Sequence, residues 1–262
     1  MAVESSEAVD AYYAARASYS LQSPRELFRS RDLFRRSVGL NPALAKARSL
    51  LAYTLVQAWV QGWSGEEELT EAGDLAREAL RQAPDDPYAN AQMGFFLLYT
   101  RHFEGALACY RRATALPEAT GEITVDRAEA EIYAGNVDAG IELIRQAMAA
   151  KEEIPDWYRW NLAWGFYVKG RTDRSAYRTA LEALDAMRQK PEDQDYPVDC
   201  LLFRAVVEKA LEMDREADAH LERFLGRRTD WTVWRERQSV RFRNPADELH
   251  WLDGCRAAGL PE

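Results

Sequence analysis

The strongest constraint on the fold of this chain is a sequence period of 34 residues. Three segments show it: EAGDLAREALRQAPDDP (71–87), EGALACYRRATALPE (104–118) and DAGIELIRQAMAAKE (138–152). Small or apolar residues recur in three columns at this spacing, which are Ala72, Ala106 and Gly140; Ala76, Tyr110 and Ile144; and Ala79, Ala113 and Ala147. A fixed period of this length is the signature of a repeat protein whose helical units stack on one another.

The apolar pattern between the repeats is helical almost throughout, and no stretch alternates in the manner of a strand. Prolines fall at spaced breaks, where they can begin or end helices of about 12 to 18 residues. The first helices of successive pairs are also similar, since LLAYTLVQ (50–57), QMGFFLLY (92–99) and NLAWGFYV (161–168) each place an apolar residue before a small one and then a bulky one. The sequence therefore predicts an all-α chain of paired helices.

The period, the paired helices and the closing turns at Leu40-Asn41-Pro42 and Ala83-Pro84 resemble the tetratricopeptide repeat. The resemblance covers nearly the whole chain, although the spacing drifts after Gly170. It implies a right-handed α-solenoid of about six antiparallel helix pairs with a C-terminal capping helix. We expect a single repeat domain over 1–262, with pairs at 1–41, 42–86, 87–118, 119–152, 153–190 and 195–226 and the cap at 229–262.

The two ends of the chain carry a more particular likeness. Residues 11–59 and 242–262 look like the C-terminal repeat region of bacterial adenylate-cyclase-like and winged-helix regulatory proteins. This likeness implies a regulatory module and no activity of its own. Within the cap, Asn244 is a suitable N-cap, Pro245 suits the first helical position, and Gly259 ends the helix. We expect Leu249, Trp251 and Leu252 to pack that helix onto the array.

Composition excludes several classes of protein. A net charge of −9 argues against nucleic-acid binding, and the Arg-rich stretch 223–243 is better explained by a solvated helix face or by internal salt bridges than by an anion site. The longest charge-free run, 49–65, is too short and too polar to cross a bilayer, and the first ten residues are not typical of a secretory signal. Three distant cysteines suit a reducing compartment. The prediction is a cytoplasmic protein with no membrane segment.

Motifs for catalysis and for cofactor or metal binding are absent from the sequence. The three histidines are scattered, no nucleotide-binding or nucleophile motif appears, and the acidic run Glu66–Glu68 suits the start of a helix. We therefore expect no catalytic residues, no metal, no cofactor and no enzyme.

One stretch stands out as a candidate site, WYRWNLAWGFY at 157–167, which contains three of the eight tryptophans. On a helical wheel, Trp157, Trp160, Trp164 and Tyr167 share one arc, while Leu162, Ala163 and Phe166 share another. In tetratricopeptide proteins the remaining face of each first helix lines a concave groove that binds peptides. The resemblance thus implies that this groove is lined by the following residues: Trp157, Trp160, Trp164, Tyr167, Tyr88, Phe95, Tyr99, Glu129 and Tyr133.

Two interpretations of these aromatic residues stay open at this point. They could bind a protein or peptide with apolar anchors and basic residues, or they could be core that is buried by neighbouring helices or by the segment carrying Trp231 and Trp234. The sequence favours a non-catalytic scaffold that recognises a protein partner on the concave face. The alternatives are a sensory or regulatory module of a signalling protein that binds a small ligand, and a homodimer formed through the ends of the array.

Overall fold

The computed structural model describes residues 6–20, 23–191, 193 and 196–262. Within these residues the chain forms fourteen helices and no strand. In chain order they are α1 (Ser6–Ser18), α2 (Pro24–Leu40), α3 (Ala45–Val60), α4 (Glu66–Gln82), α5 (Pro87–Tyr99), α6 (Phe103–Ala115), α7 (Gly121–Tyr133), α8 (Val137–Ala149), α9 (Asp156–Gly170), α10 (Ala176–Asp185), α11 (Val198–Ala210), α12 (Asp214–Arg227), α13 (Val233–Ser239) and α14 (Pro245–Ala258). The predicted all-α class is confirmed.

The chain divides into two compact units, one ending at Asp126 and the other beginning at Arg127. The predicted single domain and its seven ranges stay a prediction. The first of those ranges includes residues 1–5, and the sixth begins at residue 195. These positions lie outside the described residues. The start of the N-terminal segment that is not typical of a secretory signal lies outside them as well.

In the first unit, consecutive helices pack as pairs, α1 with α2, α3 with α4 and α5 with α6. Neighbouring pairs then stack through α2 on α3 and α3 on α5. Local chemistry sets the helix starts: Ser23 accepts a hydrogen bond from the Glu26 backbone N–H, and Asp86 accepts one from Ala89 ahead of Pro87. The predicted acidic start of α4 is also confirmed, with Glu66, Glu67 and Glu68 in its first turn.

In the second unit, α9 pairs with α10 and α11 with α12, while α8 packs on α9. A Cβ added to Gly140 of α8 would lie 2.6 Å from Ile132 and 2.7 Å from the Ala128 carbonyl oxygen of α7. The small residue at this position thus allows the two helices to approach closely. All nine residues of the three 34-residue columns are buried, on α4, α6 and α8. The period marks the contact between the two helices of a pair.

The C-terminal helix α14 packs on α9, α11 and α12. Asn244 accepts from the Ala246 N–H, Pro245 is the first helical residue, and Gly259 ends the helix at φ 102°, so the predicted caps are confirmed. Trp251 and Leu252 are buried as expected. The expectation for Leu249 is wrong, because it lies on the outer side of the helix with 53% of its surface exposed.

No helix in the described part of the chain combines the length and the apolar character needed to cross a bilayer.

Candidate partner-binding face

The candidate face centres on α9, whose start is fixed by a carboxylate. Asp156 accepts hydrogen bonds from the backbone N–H groups of Arg188 (2.8 Å) and Gln189 (2.9 Å), beyond the end of α10. An acid in the first turn also suits the helix dipole. This bond network holds the first turn of α9, which carries Trp157, against the segment that follows α10.

An aromatic cluster occupies the interior of the second unit beside α9. Its members are Tyr133 of α7, Trp164 and Tyr167 of α9, Phe203 of α11, Trp251 of α14, and Phe242, which precedes α14. Trp164 is at the centre: its ring centroid is 4.8 Å from that of Trp251, 5.3 Å from Phe203 and 5.8 Å from Phe242. Only 2% of Trp164 is exposed, so its ring surface is covered by the chain itself.

Two parts of the C-terminal segment cover the cluster. The first is the strap, the non-helical residues 240–244 between α13 and α14. Phe242 of the strap packs edge-on against Tyr133 with centroids 4.9 Å apart, and the Arg243 N–H donates to the Tyr133 carbonyl oxygen at 2.8 Å. Tyr133 is the last residue of α7, where helical carbonyls lack intrahelical donors. The strap therefore binds the end of α7 much as an extended peptide would.

The second part is α14, which lies close to α9. The Tyr167 hydroxyl donates to the His250 carbonyl oxygen at 3.2 Å, and Arg171 Nε donates to Asp247 Oδ1 at 2.6 Å. A Cβ on Gly254 would lie 2.3 Å from the Tyr167 hydroxyl oxygen and 2.8 Å from Val206 Cγ1. Burial raises the pKa of Tyr167 well above its usual value of 10.0. Tyr167 is thus an interior residue.

A buried carboxylate joins α13 to α14. Glu236 accepts from the indole N–H of Trp231 at 2.7 Å and from that of Trp251 at 2.9 Å. Burial raises its pKa above the usual 4.5, and the indole hydrogen bonds oppose that shift. Glu236 of α13 is thus bonded to Trp251, the α14 residue whose ring covers Trp164.

The N-terminal half of α9 carries the part of the predicted arc that stays accessible. Trp157 is 39% exposed, and Trp160 is half-buried, stacked on Trp164 with centroids 5.7 Å apart. Trp160 thus extends the aromatic cluster towards the surface, and Trp157 lies one turn before it on α9. We call Trp157 and Trp160 the open edge.

The predicted residues of the first unit lie on α5, where Phe95 and Tyr99 form a row of rings with Tyr53 of α3 and Tyr19, which follows α1. Tyr53 contacts Phe95 at 4.8 Å, Phe95 contacts Tyr99 at 4.8 Å, and Tyr19 lies 5.9 Å from Tyr53. Phe95 and Tyr99 are buried. Tyr88 is half-buried at the start of α5, with its hydroxyl 3.4 Å from Thr120 Oγ1.

The nine predicted site residues therefore fall into two groups. Trp157, Trp160, Tyr88 and Glu129 retain exposed surface. The buried residues are Trp164, Tyr167, Phe95, Tyr99 and Tyr133. For the buried rings the structure corresponds to the alternative of a self-filled interior, and the physical reason is that ring–ring packing is available within the chain. Partner binding by any of the nine stays a prediction.

Sequence reasoning missed the residues that cover the cluster. It considered the C-terminal segment that carries Trp231 and Trp234 as a cover but named no other ring of that segment, whereas Trp231 binds Glu236 and Trp234 is 65% exposed. Phe242 and Trp251 cover Trp164 instead. The motif FRNP, in which an aromatic residue precedes a capped helix, is the one local signal for Phe242.

The Arg-rich stretch is engaged internally, as the sequence favours. Arg235 pairs with Asp230 at 2.9 Å and Arg237 with Glu248 at 3.3 Å. The Arg228 guanidinium lies 4.0 Å from the Trp231 ring centroid. These contacts leave the stretch without a concentrated set of unpaired cations.

The described residues contain no group of three or more His, Cys, Asp or Glu side chains that could hold a metal. Burial raises the pKa of Cys109, Cys200 and Cys255, which disfavours the reactive thiolate. The predicted absence of a metal, a cofactor and catalytic residues stays a prediction.

Comparison with solved structures identifies the fold. The chain is similar to PilW, a type IV pilus biogenesis factor (14% identity, 87% of this chain and 96% of that one, TM-score 0.58). It is also similar to the tetratricopeptide protein TTC0263 of Thermus thermophilus (19% identity, 78% and 99%, TM-score 0.57) and to the APC/C hetero-tetramer Cut9–Hcn1 (13% identity, 97% and 50%, TM-score 0.59). No family model and no curated protein matches the sequence.

These similarities establish the α-solenoid fold of tetratricopeptide repeat proteins for this chain. At such identities they do not assign an activity or a partner. The more particular likeness to cyclase-like and winged-helix regulators has no support among them.

Proposed function

We propose that this protein is a non-catalytic scaffold that binds a protein or peptide partner through the aromatic face of α9, with the open edge, Trp157 and Trp160, as its anchors. The observation that carries the proposal is the exposure of Trp157 on a helix whose C-terminal rings are almost completely buried. The arrangement gives a partner a rigid aromatic surface. Aromatic anchors that are already fixed lose little conformational entropy on binding, which favours affinity.

The rigidity of the open edge follows from its contacts. Trp160 stacks nearly parallel to Trp164, with an angle of 8° between the ring planes, and also contacts Phe203 edge-on at 5.7 Å. The Trp157 ring is 4.4 Å from that of the buried Tyr158. Both tryptophans are therefore held on one side and accessible on the other.

The charge of the protein favours a basic partner. The net charge is −9, and the exposed Glu152 and Glu153 lie just before α9. A partner segment with an apolar or aromatic residue next to lysine or arginine would match both the rings and the charge. Tetratricopeptide proteins as a class bind peptides, and the proposal assigns the same kind of partner to this chain.

Site-specific photocrosslinking tests the proposal. Benzoylphenylalanine is placed at position 157 or 160 in the full chain, with position 234 as the matched control, because Trp234 is also an exposed tryptophan but lies on α13. The proposal predicts one partner that crosslinks at 157 and 160 and not at 234, through a segment with apolar and basic residues. Equal crosslinking at all three positions would contradict it.

Stability measurements separate binding from folding in the same experiment. Trp157→Ala should change the free energy of unfolding by less than about 1 kcal/mol, because the side chain is already partly in water. A large destabilisation by this substitution would show that the open edge is structural.

A cavity favours a second candidate, the regulatory module that binds a small ligand. It has a volume of about 510 Å³ and lies between α10, α11 and α12. Its charged lining consists of three basic and three acidic residues together with His220, namely Lys190, Arg204, Arg223, Asp185, Glu208 and Glu216. Glu208 is buried and binds Arg204 Nε at 3.0 Å and His220 Nδ1 at 2.7 Å. Such a site would suit a small polar ligand whose acidic group pairs with Arg223.

The second candidate predicts that a small carboxylate or phosphate ligand raises the melting temperature of the protein. Arg223→Ala should abolish that shift. The absence of any shift across a library of small anions would leave the scaffold as the sole proposal.

A further inference from the structure

We infer that the strap, residues 240–244, is a built-in competitor for the same aromatic face, and that the partner's segment is an extended peptide of the strap's pattern, apolar–basic–aromatic–basic. The inference rests on the proposed function and names the chemistry of the partner. The strap reads Val-Arg-Phe-Arg-Asn.

The strap binds as peptides bind to a folded surface. Val240 has extended backbone angles (φ −83°, ψ 149°), and the described residues 240–244 form no helix. Phe242 is buried between Tyr133 and Trp164, and the Arg243 N–H donates to the Tyr133 carbonyl oxygen. One aromatic anchor and one main-chain hydrogen bond to a helix end are the contacts that an extended ligand would make.

The strap satisfies this face incompletely. The indole N–H of Trp164 is buried and has no hydrogen-bond acceptor among the described residues. Buried donors are nearly always paired in folded proteins, and an unpaired one is a defect that another ligand can repair. A partner peptide that places a carbonyl oxygen at this N–H would gain a bond that the strap does not make.

The helices on either side of the strap have attachments of their own. α13 is held to α14 through the Glu236–Trp251 bond, and α14 is held to the C-terminal end of α9 by the Arg171–Asp247 and Tyr167–His250 bonds. None of these bonds involves residues 240–244. Lifting Phe242 out of the face therefore leaves these three bonds in place.

Trans-binding of the strap sequence tests the inference. The probe is a fluorescein-labelled peptide of residues 238–247, QSVRFRNPAD, titrated into the full chain and its Phe242→Ala variant, with anisotropy as the readout. A tethered strap competes at an effective concentration on the order of millimolar, so the variant should bind the peptide at least ~10-fold more tightly than the native chain. A peptide with alanine in place of the phenylalanine is the matched control and should not bind.

The inference is overturned if Phe242→Ala keeps native circular dichroism and does not bind the peptide, or binds the control peptide equally well. If Phe242→Ala loses its helical signal, Phe242→Leu replaces it, and no gain in peptide binding there overturns the inference as well. A failure of this test together with crosslinking at 157 and 160 would reject the competitor role and retain the proposed function. Failure at the crosslinking positions would reject the proposed function itself.

Discussion

Individual side chains decide which rings of the second unit are core. Trp164 has aromatic neighbours on α7, α9, α11, α14 and the strap, whereas Trp157, seven residues earlier on α9, has one ring contact, to Tyr158. Both residues lie on the same arc of the helical wheel, so periodicity cannot separate them. The difference arises from residues 229–262, which cover the C-terminal half of α9 and not its first turn.

Glu236 gives a prediction at the residue scale. Glu236→Ala removes the acceptor for two indole N–H groups, of Trp231 and Trp251, and each unsatisfied buried donor costs about 1–3 kcal/mol. We expect the free energy of unfolding in urea to fall by about 2–4 kcal/mol, and by less for Glu236→Gln, whose amide oxygen keeps one acceptor. Glu122→Ala, at an exposed position, is the control. Equal effects at Glu236 and Glu122 would refute the buried link.

His250 gives a prediction about pH. Burial lowers its pKa below the usual 6.5, with Arg171 acting in the same direction and Asp247, Asp253 and the bond to Tyr167 opposing it. The unfolded chain therefore takes up the proton more readily, and the stability that the neutral ring contributes is present above pH 6.5 and is lost as the pH falls through the lowered pKa.

Urea unfolding of the native chain and of His250→Gln across that pH range measures this contribution. The native chain should lose more stability than the variant on acidification. Parallel pH profiles for the two proteins would exclude a role for His250 protonation.

At the scale of elements, the sequence allowed much of the fold to be predicted. The 34-residue columns indicated the contact between the helices of a pair, because a small residue is needed where two helices approach closely. Asn244, Pro245 and Gly259 indicated the ends of α14. The covering of the aromatic cluster could not be predicted in the same way. Phe242 meets Tyr133 across more than a hundred residues of chain, and no local pattern specifies that contact.

The docking of α14 on α9 depends on the absence of a side chain at Gly254. Gly254→Ala would drive a Cβ against the Tyr167 hydroxyl and Val206, so we expect a loss of about 1–3 kcal/mol in the free energy of unfolding. Gly226→Ala on α12 is the matched control, because nothing lies within 4 Å of its added Cβ, and the better helix propensity should stabilise it by up to about 1 kcal/mol. A stabilising effect at both positions would contradict the close approach.

At the scale of the whole molecule, the candidate face is divided within one helix of the second unit. α9 is covered towards its C-terminal end and accessible at its start. Helical periodicity places Trp164 and Tyr167 on the same arc as Trp157, but it describes one element only, and the segment that helps to bury Trp164 and Tyr167 belongs to others. Partner binding by this arc stays a prediction.

The central claim is that α9 is covered towards its C-terminal end and accessible at its start. Its most direct test is the solvent exposure of each tryptophan, measured by fluorine NMR of the protein labelled with 5-fluorotryptophan. Single Trp→Phe variants assign the eight signals, and a soluble paramagnetic agent broadens those of exposed rings. We predict strong broadening for Trp234 and Trp157, and little for Trp164, Trp231 and Trp251. If the Trp164 signal broadens as much as that of Trp234, the aromatic cluster is open in solution and the account of a covered face with an open edge is wrong.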